Sequence, residues 1–212
     1  MTATPIEAAN ELLETHLPLT SEQKAKFGYF GVNAKILPPL RILNPARLHI
    51  GDYTAIREGC HLNAFRDLSF LRQYIDSEHR DDFTDDDYRY DGRITIEREC
   101  QIGRFAFMSC TKSIEIEQNV VLSERVFVGD NNHTFSHSQV PIVQQPNSPG
   151  RPVRIGRGSW IGVGAAILAG VRLGRNSVVG ANAVVREGEY PPFAVLGAPA
   201  AEVLFVRHRD DE

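Results

Sequence analysis

Cysteine, tryptophan and methionine are scarce in these 212 residues, at three, one and two. No apolar run comes near the roughly 20 residues that cross a bilayer. Cys60, Cys100 and Cys110 are odd in number and contain no C-x-x-C, which excludes a disulfide framework and a zinc knuckle. Reduced, structural thiols are expected. A basic excess is also missing. Lys and Arg number 23 against 27 Asp and Glu, a net charge of -4, so nucleic acid and anionic membranes are not expected partners. The opening MTATPIEAANELLETHLPLT has neither a basic n-region nor an apolar h-region, and the chain is read as cytoplasmic. Dinucleotide and P-loop fingerprints are absent too. A composition 42% hydrophobic and 24% charged fits one principal globular domain.

What the chain does have is a period of six. Ile155, Ile161, Ile167, Leu173, Val179 and Val185 recur at six-residue intervals, and glycine follows four of them. Ser159, Ala165, Val171, Ser177 and Ala183, all small or modest, stand four residues after the first five. The same register runs through Ile50, Ile56 and Leu62, then Ile96, Ile102 and Met108, then Ile116, Leu122 and Val128. Neither a 3.6-residue helix nor a simple alternating strand produces this spacing. A chain that turns a corner every six residues does: the aliphatic anchor fills the interior, the small residue sits where space is tight, and glycine suits the bend. Cys60 and Cys100 occupy the small position.

Two segments break the sixes and are expected to loop outward. Residues 64–92 mix aromatics with Asp and Arg. They read as solvated loop with a short helix near LSFLRQYI, or alternatively as an arm covering an acceptor pocket. Residues 130–151 are rich in Asn, Ser, Pro and Gly and read as an ordered excursion. Ahead of the repeats, residues 5 to about 30 look helical, with Thr20 and Gln23 in capping-box spacing. That gives a helical cap over residues 1–47, a repeat domain over 48–206, and a tail over 207–212.

The hexads, together with D-N-N-H at 130–133 and a later S-W-I-G at 159–162, resemble the hexapeptide-repeat acyltransferases. Within them the likeness is to the galactoside, maltose and polysaccharide O-acetyltransferases. The resemblance implies an all-β fold, a single-stranded left-handed parallel β-helix with a short helical N-terminal region and two excursion loops. The handedness comes from the resemblance alone. It also implies acetyl-CoA as donor, no metal, a homotrimer, and a sugar or glycan-precursor acceptor. Carried over by motif, His133 is the general base. Asn132 lies beside it, and Asn131 stands where polysaccharide-modifying relatives often have a first histidine. Asp130 either orients the imidazole or caps a turn. His137 is solvent-exposed or touches the acceptor. Trp160, Gly162, Gly180 and Ala181 fall along the donor, and Gly197, Ala198 and Pro199 match the terminal segment near its adenine. Where many relatives carry lysine, the chain reads VVREGEY, so Arg186, with Arg207 as second candidate, meets the phosphates.

The chemistry is coherent, because a sugar hydroxyl is a poor nucleophile at neutral pH and an imidazole titrating near about 6.5 can take its proton. Three other functions fit the same fold. The first is N-acetylation of a nucleotide-linked amino sugar. The second is a γ-type carbonic anhydrase, for which His133 and His137 stand one residue too close and no third ligand is evident. The third is a non-catalytic scaffold.

Overall fold

In the computed structural model, which describes residues 10–197, the hexads wind into a three-sided prism. Each side is a seven-stranded sheet in which every strand pairs with the strand three elements later. Cys60–Ala64, Phe107–Cys110, Phe127–Gly129 and Ala166–Ile167 lie on the first face; Arg93–Ile96, Ser113–Ile116 and Val153–Ile155 on the second; Gln101–Ile102, Val121–Leu122 and Trp160–Ile161 on the third. All these pairings are parallel, and the register carries anchor onto anchor: Ile36, Ile56, Ile102, Leu122, Ile161 and Val179 form one ladder. The anchors expected from the period of six are all buried. The fold is therefore the expected parallel β-helix.

Where glycine follows an anchor, it has a different cause from the bend expected of it. The left-handed backbone falls three residues after the anchor, at Tyr53, Gly59, Glu99, Phe105, Asn119, Arg125, Gly158, Gly164, Asn176 and Asn182. Gly51, Gly103, Gly156, Gly162 and Gly174, each directly after an anchor, are needed because the coils stack closely, whereas a Cβ on Gly180 would meet only ordinary contacts. A Cβ on Gly162 would lie 2.7 Å from the amide nitrogen of Ala181 in the next coil, and one on Gly51 would collide with the backbone of Glu97 and Arg98. The small position is filled as expected: Cys60, Cys100, Ser159, Ala165 and Ser177 are all buried. The thiols of Cys60 and Cys100 are pushed up to about 11, chiefly by burial.

The N-terminal expectation is corrected at two points. Leu12–Thr15 is a strand, not helix, and pairs antiparallel with Leu40–Leu43 at the lower edge of the first face. Alternation suits that place: Leu13 turns into the core while Glu14 faces out. The antiparallel strand occupies hydrogen-bonding groups that a bare edge would present to other chains. The one α-helix among the described residues is Ser21–Ala25, and it carries the predicted capping box from Thr20 and Gln23. Leu19 and Phe27 on either side plug the end of the core. Parallel pairing starts at Tyr29–Phe30 on His49–Ile50, so the coils begin well before the expected boundary at residue 48. The tail at 207–212 lies outside the described residues.

Both excursions leave the prism at one corner, between the first and second faces. One follows Cys60–Ala64 and the other follows Phe127–Gly129, two coils apart. At about 4.8 Å per coil their bases lie roughly 10 Å apart, close enough to pack. They share a small core of Leu68, Ile75, Tyr88 and Val140, flanked by Phe83 and Tyr90. Residues 64–92 are thus not merely solvated: Ser69–Tyr74 forms the expected short helix as a 3-10 turn, and Tyr88 is fully buried. Among the described residues, no helix is long and apolar enough to cross a membrane.

Stability should follow the stacking. Ile102→Ala removes a fully buried anchor and is expected to cost about 2–5 kcal/mol in denaturant unfolding. Gly162→Ala, a single methyl directed at the backbone of the next coil, should also lower the midpoint clearly. An unchanged midpoint for Gly162→Ala would mean that the coils are not held this closely.

Candidate functional site

The chain leaves the first face at Gly129, and Asp130 is the first residue beyond it. Its carboxyl group is wholly buried and accepts from the backbone N–H of Thr111 at 2.8 Å and of Lys112 at 2.7 Å. Asn131 adds a third donor at 2.9 Å. Thr111 and Lys112 form the tight corner of the intervening coil, the one that has no excursion, so Asp130 stitches the excursion's root to the coil below it. The thiol of Cys110 donates to the same carboxyl at 3.3 Å, and burial, then the Asp130 charge, push that thiol's pKa up. Of the two roles open to Asp130, the structure supports the capping one: its carboxyl oxygens serve this corner, not the imidazole.

Beyond Asp130 the chain runs beside residues 146–148 as a short antiparallel clip. Asn132 N–H donates to Ser148 Oγ at 2.9 Å and Ser148 N–H returns a bond to Asn132 O at 2.7 Å. His133 bridges to Asn147, and Thr134 Oγ1 donates to Pro146 O at 2.7 Å. The other excursion braces this clip. Asn147 N–H donates to the Tyr90 hydroxyl at 2.8 Å, and Tyr88 donates to Gln144 O at 2.7 Å. Burial pushes both phenols up to about 12, so they remain hydroxyl groups near neutrality. The result is a histidine with a fixed backbone and an exposed ring, which is what a base presented to a solute needs.

His137 is not where it was expected. Its ring is three-quarters covered, with Nε2 3.0 Å from Asp82 of the first excursion, beside His79 and Phe83. Its backbone N–H and C=O are held by the buried amide of Gln145. It braces the two excursions and is not the fully solvent-exposed residue expected.

Trp160 stands on the third face one coil above Val121, half exposed, its indole N–H donating to Ser123 Oγ at 3.0 Å. Gly162 follows at the turn toward the first face, and its N–H donates to Val179 O at 2.7 Å. Gly180 N–H donates to Leu196 O, and Ala181, Arg186 and Gly197 are exposed. Ala198, Pro199 and Arg207 lie outside the described residues. The structure therefore groups Trp160, Gly162, Gly180 and Ala181 along successive coils of the third face and its turn. His133 lies at another corner, with the first face between.

Residues that sequence reasoning missed are the braces: Tyr88, Tyr90, Gln145 and Ser148. None belongs to a repeat, and their partners stand up to 57 residues away. Only the aromatic content of residues 64–92 hinted at a packed module.

Comparison with known proteins follows the same outline. Residues 152–187 match the bacterial transferase hexapeptide (six repeats) family. Rv3034c of Mycobacterium tuberculosis, named for acetyltransferase activity, is 33% identical over 115 residues, covering 54% of this chain and 38% of the relative. WbbJ of Escherichia coli, whose name assigns it O-acetyl transfer in lipopolysaccharide biosynthesis, is 30% identical over 121 residues, covering 53% of this chain and 60% of the relative. The chain thus spans less than two thirds of either. AntD, an N-acyltransferase from Bacillus cereus in complex with dTDP and 3-hydroxybutyryl-CoA, superposes with a TM-score of 0.63 at 19% identity over 85% of each chain. An AntD variant holding dTDP-4-amino-4,6-dideoxyglucose and coenzyme A gives 0.62 at 18% over 91% of each chain. At such identities the likeness speaks for the fold. The expected likeness to hexapeptide-repeat transferases is borne out over residues 152–187 and in the fold.

Removing the Asp130 carboxyl leaves two backbone donors of the neighbouring corner without partners. Asp130→Ala is expected to cost about 2–4 kcal/mol of unfolding free energy, measured in urea with the circular dichroism spectrum otherwise retained. In the folded wild type, Cys60, Cys100 and Cys110 should resist a thiol reagent at pH 8, because their raised pKa values keep them protonated and burial shields them. Rapid labelling of any of the three before unfolding would contradict this packing.

Proposed function

We propose that this chain, a hexapeptide-repeat protein of the bacterial transferase kind, is an acetyl-CoA-dependent O-acetyltransferase acting on a sugar or glycan-precursor hydroxyl. The observation that carries this reading is the presentation of His133. It is an exposed imidazole on a backbone clipped at Asn132, Asn147 and Ser148, at the point where the chain leaves the prism. The comparisons support the class: relatives named for acetyl transfer match over about half of this chain, and AntD structures hold coenzyme A or an acyl-CoA together with dTDP or a dTDP-sugar.

In the proposed reaction, the imidazole of His133 takes the proton of the acceptor hydroxyl as its oxygen attacks the thioester carbonyl. The tetrahedral intermediate collapses with cleavage of the C–S bond. The proton returns to the departing thiolate, giving the acetyl ester and free coenzyme A. General-base help of this kind is worth about 10²- to 10⁴-fold, and the rest falls to positioning of the two substrates. Trp160, Gly162, Gly180 and Ala181 would line the acyl and pantetheine end, and Gly197, Ala198 and Pro199 the adenine end. Arg186 would meet a phosphate, and Asn132 the acceptor.

The reading includes a left-handed coil sense and a trimer. His133 and the Trp160 side of one chain are separated by the first face, so a second copy would have to complete the groove. The outer surface supports this. The first and third faces expose Phe107, Val184, Val121 and Trp160, and their shared turns expose Phe105 and Val163. The second face carries Arg154, Arg172, Glu117 and Glu189, paired across neighbouring coils. The charged upper part of the second face suits water, and the apolar patch where the first and third faces meet suits a partner copy.

The test is coenzyme A thiol release from acetyl-CoA with a panel of mono- and oligosaccharides and nucleotide-linked amino sugars. His133→Ala should lower the rate at least about 100-fold, with folding and oligomer mass unchanged. An equal rate in both proteins would remove His133 as the base. Turnover confined to amine acceptors would move the reading to N-acetylation. Light scattering should give three times the chain mass, and a monomer would sink the shared groove.

A further inference from the structure

Outside the His133 clip, one cluster of metal-ligating side chains joins the two excursions. It consists of His79 and Asp82 from the first and His137 from the second, their ligand atoms all within 4.8 Å of one another. We propose that these three residues bind a divalent transition-metal ion of the zinc class, and that the ion clips the two excursions together beside the histidine loop.

Local structure sets the first pair. His79 caps the 3-10 turn Arg80–Asp82, and its carbonyl accepts from the Asp82 N–H. Residues three apart on such a turn eclipse, so both side chains stand on one side. His79 Nδ1 is then 3.3 Å from Asp82 Oδ2. The third member arrives from 55 residues away, with His137 Nε2 3.0 Å from the same Oδ2. Gln145 secures it there through the backbone on both sides of the ring.

The dimensions suit the ion. Zinc lies about 2.0–2.1 Å from imidazole nitrogen and carboxylate oxygen, so tetrahedral ligands stand about 3.3 Å from each other. The two imidazole nitrogens lie 3.3 and 3.0 Å from Asp82 Oδ2 and within 4.8 Å of each other. Two imidazoles and one carboxylate are also the donor set that zinc and its neighbours favour over magnesium or calcium. Each histidine side chain is 25% exposed and Asp82 47%, so an ion can enter from solvent and keep water as a fourth ligand. Carboxylates outnumber cations along residues 76–87, which draws cations to the site. His137 Nδ1 is buried with no hydrogen-bond partner. Nε2, the nitrogen turned to Asp82, would therefore be the ligand atom, giving up its contact with that carboxylate to the ion.

A purely hydrogen-bonded cluster is the competing account, and ion binding separates the two. The protein is stripped with a chelator and dialysed, then titrated with Zn²⁺ by calorimetry and with Co²⁺ by visible absorption. The expected result is one ion per chain, intense tetrahedral Co²⁺ bands, and a thermal midpoint that rises with Zn²⁺. Loss of an outer-sphere partner already costs about 10- to 100-fold in affinity, so His79→Ala, which loses a direct ligand, should cost at least about 100-fold. Asp82→Asn preserves size and hydrogen bonding, and it decides the matter if His79→Ala folds poorly. His61→Ala, an exposed histidine on the first face, should bind as wild type. Absence of heat and of Co²⁺ bands would overturn the proposal, as would stoichiometric binding untouched by His79→Ala and Asp82→Asn. The readout is the ion itself, so failure here leaves the acyl-transfer reading standing, and the reverse also holds.

Discussion

Aliphatic side chains stacked coil upon coil fill the interior of the prism, and everything else is arranged around that stacking. Every face contributes an anchor, and strands of the second face contribute a second buried residue, as with Ile94 and Ile96 or Ile114 and Ile116. Ile36, Ile56, Ile102, Leu122, Ile161 and Val179 lie over one another in a single ladder. A slip of one residue would turn a whole row outward, so a row of buried anchors fixes register strongly. The glycines after the anchors and the left-handed residues three positions later both serve the same demand, close coils with sharp corners. Non-glycine residues such as Phe105 and Arg125 hold the left-handed conformation at a local cost, which the stacked interior outweighs.

The excursions exploit a geometric property of this stack. A parallel β-helix returns to the same corner every coil, so two insertions distant in sequence emerge side by side if they leave from the same face. Residues 65–92 and 130–152 do so, with one plain coil between them. Asp130 ties the upper root to that plain coil, and Tyr88 and Tyr90 tie the lower loop to the upper one. A polar segment that would be mobile alone becomes a braced platform for His133. The same convergence brings His79 and Asp82 to His137.

The outer surfaces are as unequal as the interior is regular. In the upper coils charged side chains pair along the second face, while the first and third expose aromatic and branched aliphatic residues. The hexad dictates only the inward positions. The outward ones are free to vary, and here they divide the prism into a face for water and faces suited to association. That division underlies the proposed assembly, in which the histidine of one chain and the Trp160 side of another would share a groove.

From the sequence alone, the period of six determined the prism, the buried anchors, the structural role of Cys60 and Cys100, and the two places where the chain departs from the coils. It could do so because these features are local and repeated: each hexad states the same steric requirement. The position of His133 at a coil end was legible from D-N-N-H and the later S-W-I-G. Tertiary structure alone decided the rest. Leu12–Thr15 reads as an amphipathic helix by spacing, yet an open sheet edge makes it a strand. Asp130 looks like a neighbour of His133, yet its carboxyl turns to Thr111 and Lys112. His137 seems a second loop histidine, yet it closes on a turn 55 residues away. Each of those outcomes depends on a non-local partner brought near by the stacking of coils, and no short-range pattern encodes which partner that will be.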